Sequence, residues 1–320
     1  MPNRSHFNPA HQAMNVLRKT GKAHSSEKEI LSPEHTNHVI MGGKDCVELL
    51  HALPDESIQL IICDPPYNLN IAEWDEFEDY IDWASEWLQE VPRVLKKSGS
   101  IGIFGGFQFQ SDYGGDLLEI MHYIRHNVAL RLVNVIIWRY KNGMSAHRFF
   151  ANRHEELVWY AKTKKYTFNL DAVRIPFNEA QKKAYKRDKR LKPESIEKGM
   201  NPTNVWEIPR LNGNAKERVG HETQKPLALI RRLVSALSNP GDVVLDFFAG
   251  SGSATVVCIE SGRHSIASDA DNNLNNYLEQ LLDFNGRTKI PCPFHLFGDE
   301  GLPYLFPDSD MTHDGSLMSM

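Results

Sequence analysis

Residues 64–68 read Asp-Pro-Pro-Tyr-Asn and follow the apolar run Ile58–Cys63. Proline is confined to strand ends, so the run is predicted to be a buried strand that stops here and hands a carboxylate and an aromatic ring to a stiff loop. In open α/β sheets, ligands bind just beyond the carboxyl ends of the strands. Asp64 can accept hydrogen bonds, Tyr67 offers a flat face to a planar ligand, and Pro65 and Pro66 keep these groups fixed.

A second stretch with chemical potential is VVLDFFAGSGSATVVC, residues 243–258. A strand ending at Asp246, glycines at 250 and 252 and a helix starting near Ser253 make a nucleotide-type loop, because glycine lets backbone approach a ligand and helix N-termini expose N–H groups. It is not the dinucleotide fingerprint: in a GxGxxG frame from Gly250, Thr255 stands where the third glycine belongs. The next strand ends at Asp269, 23 residues after Asp246, where a carboxylate can take both hydroxyls of a ribose. Asp271 competes for that role, and Asp269 is preferred because the strand ends there. S-adenosyl-L-methionine, which has a ribose and adenine but no phosphates, fits these features.

The elements that must position these groups alternate. Residues 38–68 read as strand, turn, short helix and strand. Tyr80, Ala84, Trp87, Leu88 and Val91 are spaced for a helix with a stop at Gly99. SIGIFGG, NVIIWRY and HEELVWYAKT read as strands, and GDLLEIMHYI as a helix. The expected fold is α/β, a doubly wound, mostly parallel sheet. From Lys162 to about Gly220 the pattern gives way to charges, prolines and asparagines, a loop-rich insertion, and regular alternation resumes at Gln224. The predicted organisation is a mobile arm (1–36), a first half-domain (37–161), the insertion (162–220), a second half-domain (221–285) and a tail with little regular signal (286–320).

Composition narrows the partners. The chain has 320 residues and a net charge of −5, yet Trp138 to Arg232 holds 22 Lys and Arg against 10 Asp and Glu, with 14 against 31 elsewhere. A basic middle between acidic flanks is either a solvated surface or a phosphate-contacting one. No apolar stretch nears the ~20 residues of a membrane span, and the N-terminal residues lack the apolar core of a secretory signal, so a cytoplasmic location is expected. The four cysteines are scattered without a CxxC pair and read as reduced structural thiols, with no metal site.

DPPY at 64–67, HETQKP at 221–226 and DFFAGSG at 246–252 together resemble the amino-methyltransferases of DNA bases. DPPY precedes DFFAGSG by 182 residues, with the basic region between, the circularly permuted order of the β group of N6-adenine methyltransferases. HETQKP is similar to that family's HPTQKP, with Glu222 in place of a proline. The stretches NGMSAHRFFANRHEE, AKTKKY, DKRLKPESIEKG and NPTNVW extend the likeness to an RsrI-like branch, over about residues 36–285.

The resemblance implies methyl transfer from S-adenosyl-L-methionine to the N6 amine of an adenine flipped out of double-stranded DNA. It implies GAATTC as the site, restriction-modification as the setting with a cognate endonuclease in the same cell, and a homodimer as an accessible state. Asp64 and the Pro65 carbonyl would accept the amine hydrogens, with Pro66 stiffening the loop and Tyr67 stacking on the base. Asp45, Asp64, Thr223, Lys225, Asp246, Phe247, Ala249, Gly250, Gly252 and Asp269 would form the cofactor site. The basic insertion would act as target recognition, with DNA contacts from Arg139, Lys141, Asn142, Arg148, Lys186, Arg187, Arg210, Asn212 and Asn214. Lysines and arginines between Lys182 and Arg190 suit phosphates or plain solvation, whereas arginine and asparagine on short loops suit base edges. Competing readings are an exocyclic cytosine amine, an RNA base or a protein glutamine as substrate, a nicotinamide dehydrogenase, and a DNA-binding module without catalysis. Relatives acting on those other substrates more often carry Ser or Asn at the position of Asp64, which weighs toward adenine.

Overall fold

A computed structural model of the chain describes residues 33–69, 75–107, 116–141, 143, 145–148, 150–285 and 292–307. Most of the predicted arm and the chain beyond residue 307 lie outside the described residues. Two units are distinguished: a smaller one whose described residues are Asn169–Pro202, and a larger one comprising the other described residues.

Among the described residues the larger unit carries a nine-stranded sheet. In chain order its strands are β1 (Thr36–Gly42), β2 (Ile58–Cys63), β3 (Leu95–Gly105), β4 (Arg131–Arg139), β5 (His154–Ala161), β6 (Val205–Glu207), β7 (Val243–Asp246), β8 (His264–Asp269) and β9 (Phe294–Phe297). In space they run β6-β4-β5-β3-β2-β7-β8-β1-β9. All pairs are parallel except those of β5, which is antiparallel to both β3 and β4. The expected doubly wound, mostly parallel sheet is what forms.

Sheet faces follow the period-2 pattern. Every residue of β2 is buried, as expected of a parallel strand covered on both sides. Ile61 and Cys63 join one core with Leu49 and Leu50 of helix α1 (Cys46–Ala52), Trp87 and Leu88 of α2 (Tyr80–Val94) and Ile120 and Ile124 of α3 (Leu117–Asn127). On the opposite side, a Cβ at Gly102 would lie 3.7 Å from Leu233 of α6 (Leu227–Leu237). Helices α7 (Ser253–Ser261) and α8 (Leu274–Asn285) follow it in chain order and pack in sequence beside it.

Two local expectations change. Gly99 does not stop α2; the helix ends at Val94 and β3 begins at Leu95. Gly99 instead sits where the β2–β3 register shifts between Ile58 and Leu60, and a Cβ there would stand 2.9 Å from the Lys96 carbonyl oxygen and 3.0 Å from that of Ile58. A glycine serves the close backbone approach of a bulge. In the segment with little regular signal, β9 adds an edge strand parallel to β1, followed by α9 (Leu302–Leu305).

The smaller unit holds α4 (Glu179–Tyr185), started by an Asn178/Gln181 capping box, and α5 (Pro193–Lys198), with an isolated Ile175–Met200 bridge. Several of its charges pair internally: Lys182 and Lys186 with Glu197, Arg174 and Lys198 with Asp171, Arg190 with Asp188. No helix among the described residues is long and apolar enough to cross a membrane.

Candidate active site

Strand β2 runs out into Asp64, and a second tier of polar contacts fixes the loop that follows. The Tyr80 hydroxyl donates to the Pro66 carbonyl at 2.7 Å. Asn68 adopts a left-handed conformation, φ +55°. Its amide and that of Leu69 donate to the two oxygens of Asp75, each at 2.8 Å, and the Asp75 side chain is 1% exposed. The Asn68 side chain donates to Asp116 at 2.9 Å and accepts from the Phe77 amide at 3.1 Å. An asparagine tolerates this conformation because its amide bonds locally. The loop is thus held by five hydrogen bonds that do not use Asp64.

Asp64 accepts from the Tyr67 hydroxyl at 2.9 Å and from Lys225 Nζ at 2.8 Å on Oδ1 and 2.6 Å on Oδ2. Lys225 comes from the HETQKP stretch directly before α6, and its ammonium also lies 3.9 Å from Glu155 of β5 and 5.3 Å from the centre of the Tyr67 ring. Burial alone would push the lysine pKa down, but Asp64 and Glu155 outweigh it and hold it above its ordinary value. Glu155 is shifted up, chiefly by burial, with the lysine acting against that shift. Burial, and then the charge of Asp64, drive the Tyr67 phenol far up, so it is a neutral donor at physiological pH.

The glycine loop is built at the ends of β7 and β8. Gly250 and Gly252 have φ of +52° and +76°, which glycine alone adopts without cost. The Gly250 amide donates to Asp269 Oδ2 at 2.7 Å, and the Asp271 amide donates to Asp269 Oδ1 at 2.9 Å. Asp269 therefore fastens the loop as well as facing the cavity. A Cβ on Gly250 would stand 3.0 Å from the His221 ring, whose Nδ1 is buried without a hydrogen-bond partner among the described residues. Asp246 is 7% exposed and accepts from the Phe248 amide at 3.3 Å. Burial, then the charges of Asp64 and Asp269, push its carboxyl well above the usual range.

The two loops meet because β2 and β7 are parallel neighbours, paired Leu60 to Val244 and Ile61 to Leu245. From this pair the chain winds outward in opposite directions, β2 to β3 and β7 to β8, so their shared end is the switch point of the sheet. A cavity of about 1010 Å³ lies there. Of the residues singled out from sequence, Asp45, Asp64, Pro65, Pro66, Tyr67, Thr223, Lys225, Asp246, Phe247, Ala249, Gly250, Asp269, Arg210 and Asn212 line it. Asp45 also caps α1, accepting from the amides of Val47 and Glu48. Phe247 is 1% exposed, its ring 4.9 Å from that of Phe248 and 5.6 Å from that of Trp87, and Phe248 is the more open of the two phenylalanines.

The rest are not among the described residues lining the cavity. A Cβ on Gly252 would be 3.2 Å from Leu278, so this glycine admits α8 and does not line the cavity. Arg139 and Lys141 both pair with Glu207. Arg148 is exposed on the β4–β5 connection, and Asn214 is exposed away from the lining. Lys186 and Arg187 belong to the smaller unit, Lys186 paired with Glu197. Asn142 lies outside the described residues.

Sequence reasoning missed Glu155, Arg218, His221, Phe77, Trp83 and Phe248, all of which line the cavity. His221 opens HETQKP and Phe248 lies inside DFFAGSG, so both were within reach of the motif argument. Phe77, Trp83 and Phe248 form an aromatic wall, Trp83 lying 4.4 Å from Phe77 and 5.8 Å from Phe248 between ring centres. The lining holds eight carboxylates against four lysines and arginines. Such a pocket favours a ligand that is cationic where it meets Asp64 and Asp269, and flat and apolar where it meets the rings.

Residues 58–280 match the family model N6_N4_Mtase, DNA methylase. The chain is 36% identical over 254 residues to the type II methyltransferase M.HpaI of Haemophilus parainfluenzae, covering 77% of this chain and 75% of that protein. It is 35% identical over 232 residues to the DNA adenine methyltransferase YhdJ of Escherichia coli K12, covering 69% and 75%. Among solved structures, TTHA0409 of Thermus thermophilus complexed with S-adenosyl-L-methionine superposes with a TM-score of 0.54 at 23% identity, over 82% of this chain and 98% of that one, a likeness of fold.

Proposed function

Because this chain belongs to the DNA methylase family, we propose that it methylates the N6 amine of an adenine extruded from duplex DNA, with S-adenosyl-L-methionine as donor. The observation that carries the reading is the meeting of Asp64, in its Tyr67–Lys225 bracket, with the Asp246–Gly250 loop across one cavity. M.HpaI, similar over most of its length, is a type II methyltransferase, and this supports restriction-modification as the setting. YhdJ, named for adenine, supports the N6 amine over the N4 amine of cytosine that the family also covers. GAATTC is the finer assignment, and it rests on the likeness of the basic region to the RsrI-like branch.

The pocket fits the donor. Asp246, Asp269 and Thr223 would hold its polar end beside the Gly250 backbone, and the Phe77–Trp83–Phe248 wall would face its ring. When bound, S-adenosyl-L-methionine supplies a methyl group already activated on a sulfonium. The work left to the protein is positioning and electrostatics.

An exocyclic amine is a weak nucleophile while its lone pair is delocalised into the ring. A carboxylate has about four acceptor sites. Tyr67 and Lys225 occupy two on Oδ1 and one on Oδ2, which leaves Oδ2 of Asp64 to accept one amine hydrogen. Among the described residues no hydrogen bond engages the Pro65 carbonyl, and it would take the other. Two acceptors held by a rigid loop favour a tetrahedral nitrogen with its lone pair aimed across the cavity. The Tyr67 ring, tied through its hydroxyl, would stack on the base, a contact of ~1–3 kcal/mol that offsets part of the cost of extrusion.

The test is incubation of purified protein with methyl-labelled donor and duplex DNA, followed by separation of the nucleosides. Label in N6-methyladenine is expected. Label in N4-methylcytosine would move the protein to the other amine of its family, and label confined to RNA or protein would end the reading.

A further inference from the structure

The β4–β5 connection does something the active site does not explain. Strands β4 and β5 are antiparallel and pair out to Arg139 and His154, and the Tyr140 amide extends the pairing to the Arg153 carbonyl at 2.9 Å. The connection therefore leaves and re-enters the sheet at one place. That place is the cavity rim, since Trp138 and Glu155 on either side of it both line the cavity. Arg210, another lining residue, stands 5.3 Å over the ring of Tyr140 at its base.

From Arg139 to His154 the sequence contains Arg139, Lys141, Arg148 and Arg153 and no acidic residue. Among the described residues Phe150 is 99% exposed, whereas the other exposed large hydrophobic side chains range from 36% to 58%. A ring that packs on nothing among the described residues contributes nothing to the fold they form. Phe150 is five residues from Glu155, so its backbone lies within roughly 17 Å of the cavity lining even for a fully extended chain.

We propose that Phe150 inserts into the base stack of the duplex, in the gap left by the extruded base. The inference rests on the proposed DNA reading. Arg139 and Lys141 at the base of the loop pair with Glu207, but the loop itself holds no carboxylate and leaves Arg148 exposed, which draws it to phosphates. An apolar ring beside that charge has a hydrophobic destination between base steps. Extrusion creates such a gap close to the pocket that receives the base. Arg148, exposed two residues away, would contact a flanking phosphate. The ring stabilises the opened duplex and touches neither donor nor amine, so Phe150 is a positioning residue.

The experiment compares wild type with Phe150→Ala and Phe150→Leu on two duplexes containing the site methylated in plasmid DNA. One is fully paired, and the other has an abasic position opposite the target adenine, so that extrusion needs little help. Phe150→Ala should lower kcat/KM on the paired duplex ten- to a hundred-fold and on the abasic duplex no more than about threefold. Phe150→Leu should fall between wild type and Phe150→Ala on the paired duplex, and donor binding and the unfolding midpoint should not change. Equal losses on both duplexes, or no loss on the paired one, would overturn the wedge while leaving the methylation reading intact. A wild-type protein that methylates neither duplex would remove both.

Discussion

Removing Asp64 tests the site through stability as well as catalysis. In Asp64→Ala, Lys225 loses both short contacts and keeps Glu155 at 3.9 Å. Breaking a fully buried pair from one side costs about 3–5 kcal/mol. Here the side chains are 10% and 19% exposed and a second carboxylate remains, so about 2–3 kcal/mol is expected. For a chain of this size that lowers Tm by roughly 4–6 °C. Lys225→Met should cost a similar amount, because it leaves Asp64, Glu155 and Asp246 facing one another without the ammonium between them. Combining the two should cost less than their sum, with a coupling of about 1–2 kcal/mol. Methyl transfer by Asp64→Ala should fall by about 10²–10³-fold, the usual loss for a preorganised polar group at the reacting centre. Thermal unfolding of the four proteins and single-turnover transfer measure both quantities. Additivity within about 0.5 kcal/mol, together with a loss of activity under tenfold, would refute the bracket as the organising feature of the site.

Other substitutions probe other links. Gly250→Ala must hold an L-residue at φ +52° with its Cβ 3.0 Å from the His221 ring, so it should lose about 1–2 kcal/mol of stability and bind the donor at least ~10-fold more weakly by calorimetry. Asp246 keeps its proton in the folded state above the pH at which the unfolded chain releases it, so it makes stability fall as pH rises above the ordinary carboxylate range. Asp246→Asn should therefore gain unfolding midpoint relative to wild type at pH 8 more than at pH 5, while donor binding weakens; an equal difference at both pH values would contradict this. His38 is buried with Thr36 and Ser265 on its ring nitrogens, and burial lowers its pKa to about 3 from 6.5. Its contribution is intact above pH 6.5 and is lost as pH falls toward 3, about 2 kcal/mol by pH 5. Denaturant titrations of His38→Gln should show a shallower acid loss, and a slope equal to wild type would argue against this assignment.

The parts of the site legible in sequence were those where local chemistry and long-range position coincide. Two prolines can end a strand only at its edge, and the glycines with Asp246 can only be a strand–loop–helix turn, so both loops were recognisable before their meeting was. Glu155 was not, because β5 inserts antiparallel between β3 and β4 and nothing near His154 says which wall of the molecule it faces. Gly99 followed a helical run and looked like a stop, but it is restrained by the Lys96 carbonyl and by that of Ile58 across the sheet, and the second is not visible locally. From sequence the basic middle suited phosphates and plain solvation equally, because the partners of its charges were not visible. Lys182 and Lys186 pair with Glu197, and Lys198 with Asp171, partners 11 to 27 residues distant that no local pattern joins; only Arg174 finds its partner, Asp171, three residues away. Strand β9 is short and its pairing with β1 depends on a partner more than 250 residues earlier.

The central claim, that the Asp64 loop presents an adenine amine to a methyl donor held by the glycine loop, is tested most directly by nucleoside mass spectrometry. Plasmid DNA from methylation-deficient cells producing the protein would be compared with DNA from cells producing Asp64→Ala. The account predicts N6-methyladenine in the first and near-background levels in the second. N4-methylcytosine in its place, no modified base, or equal N6-methyladenine in both would contradict it.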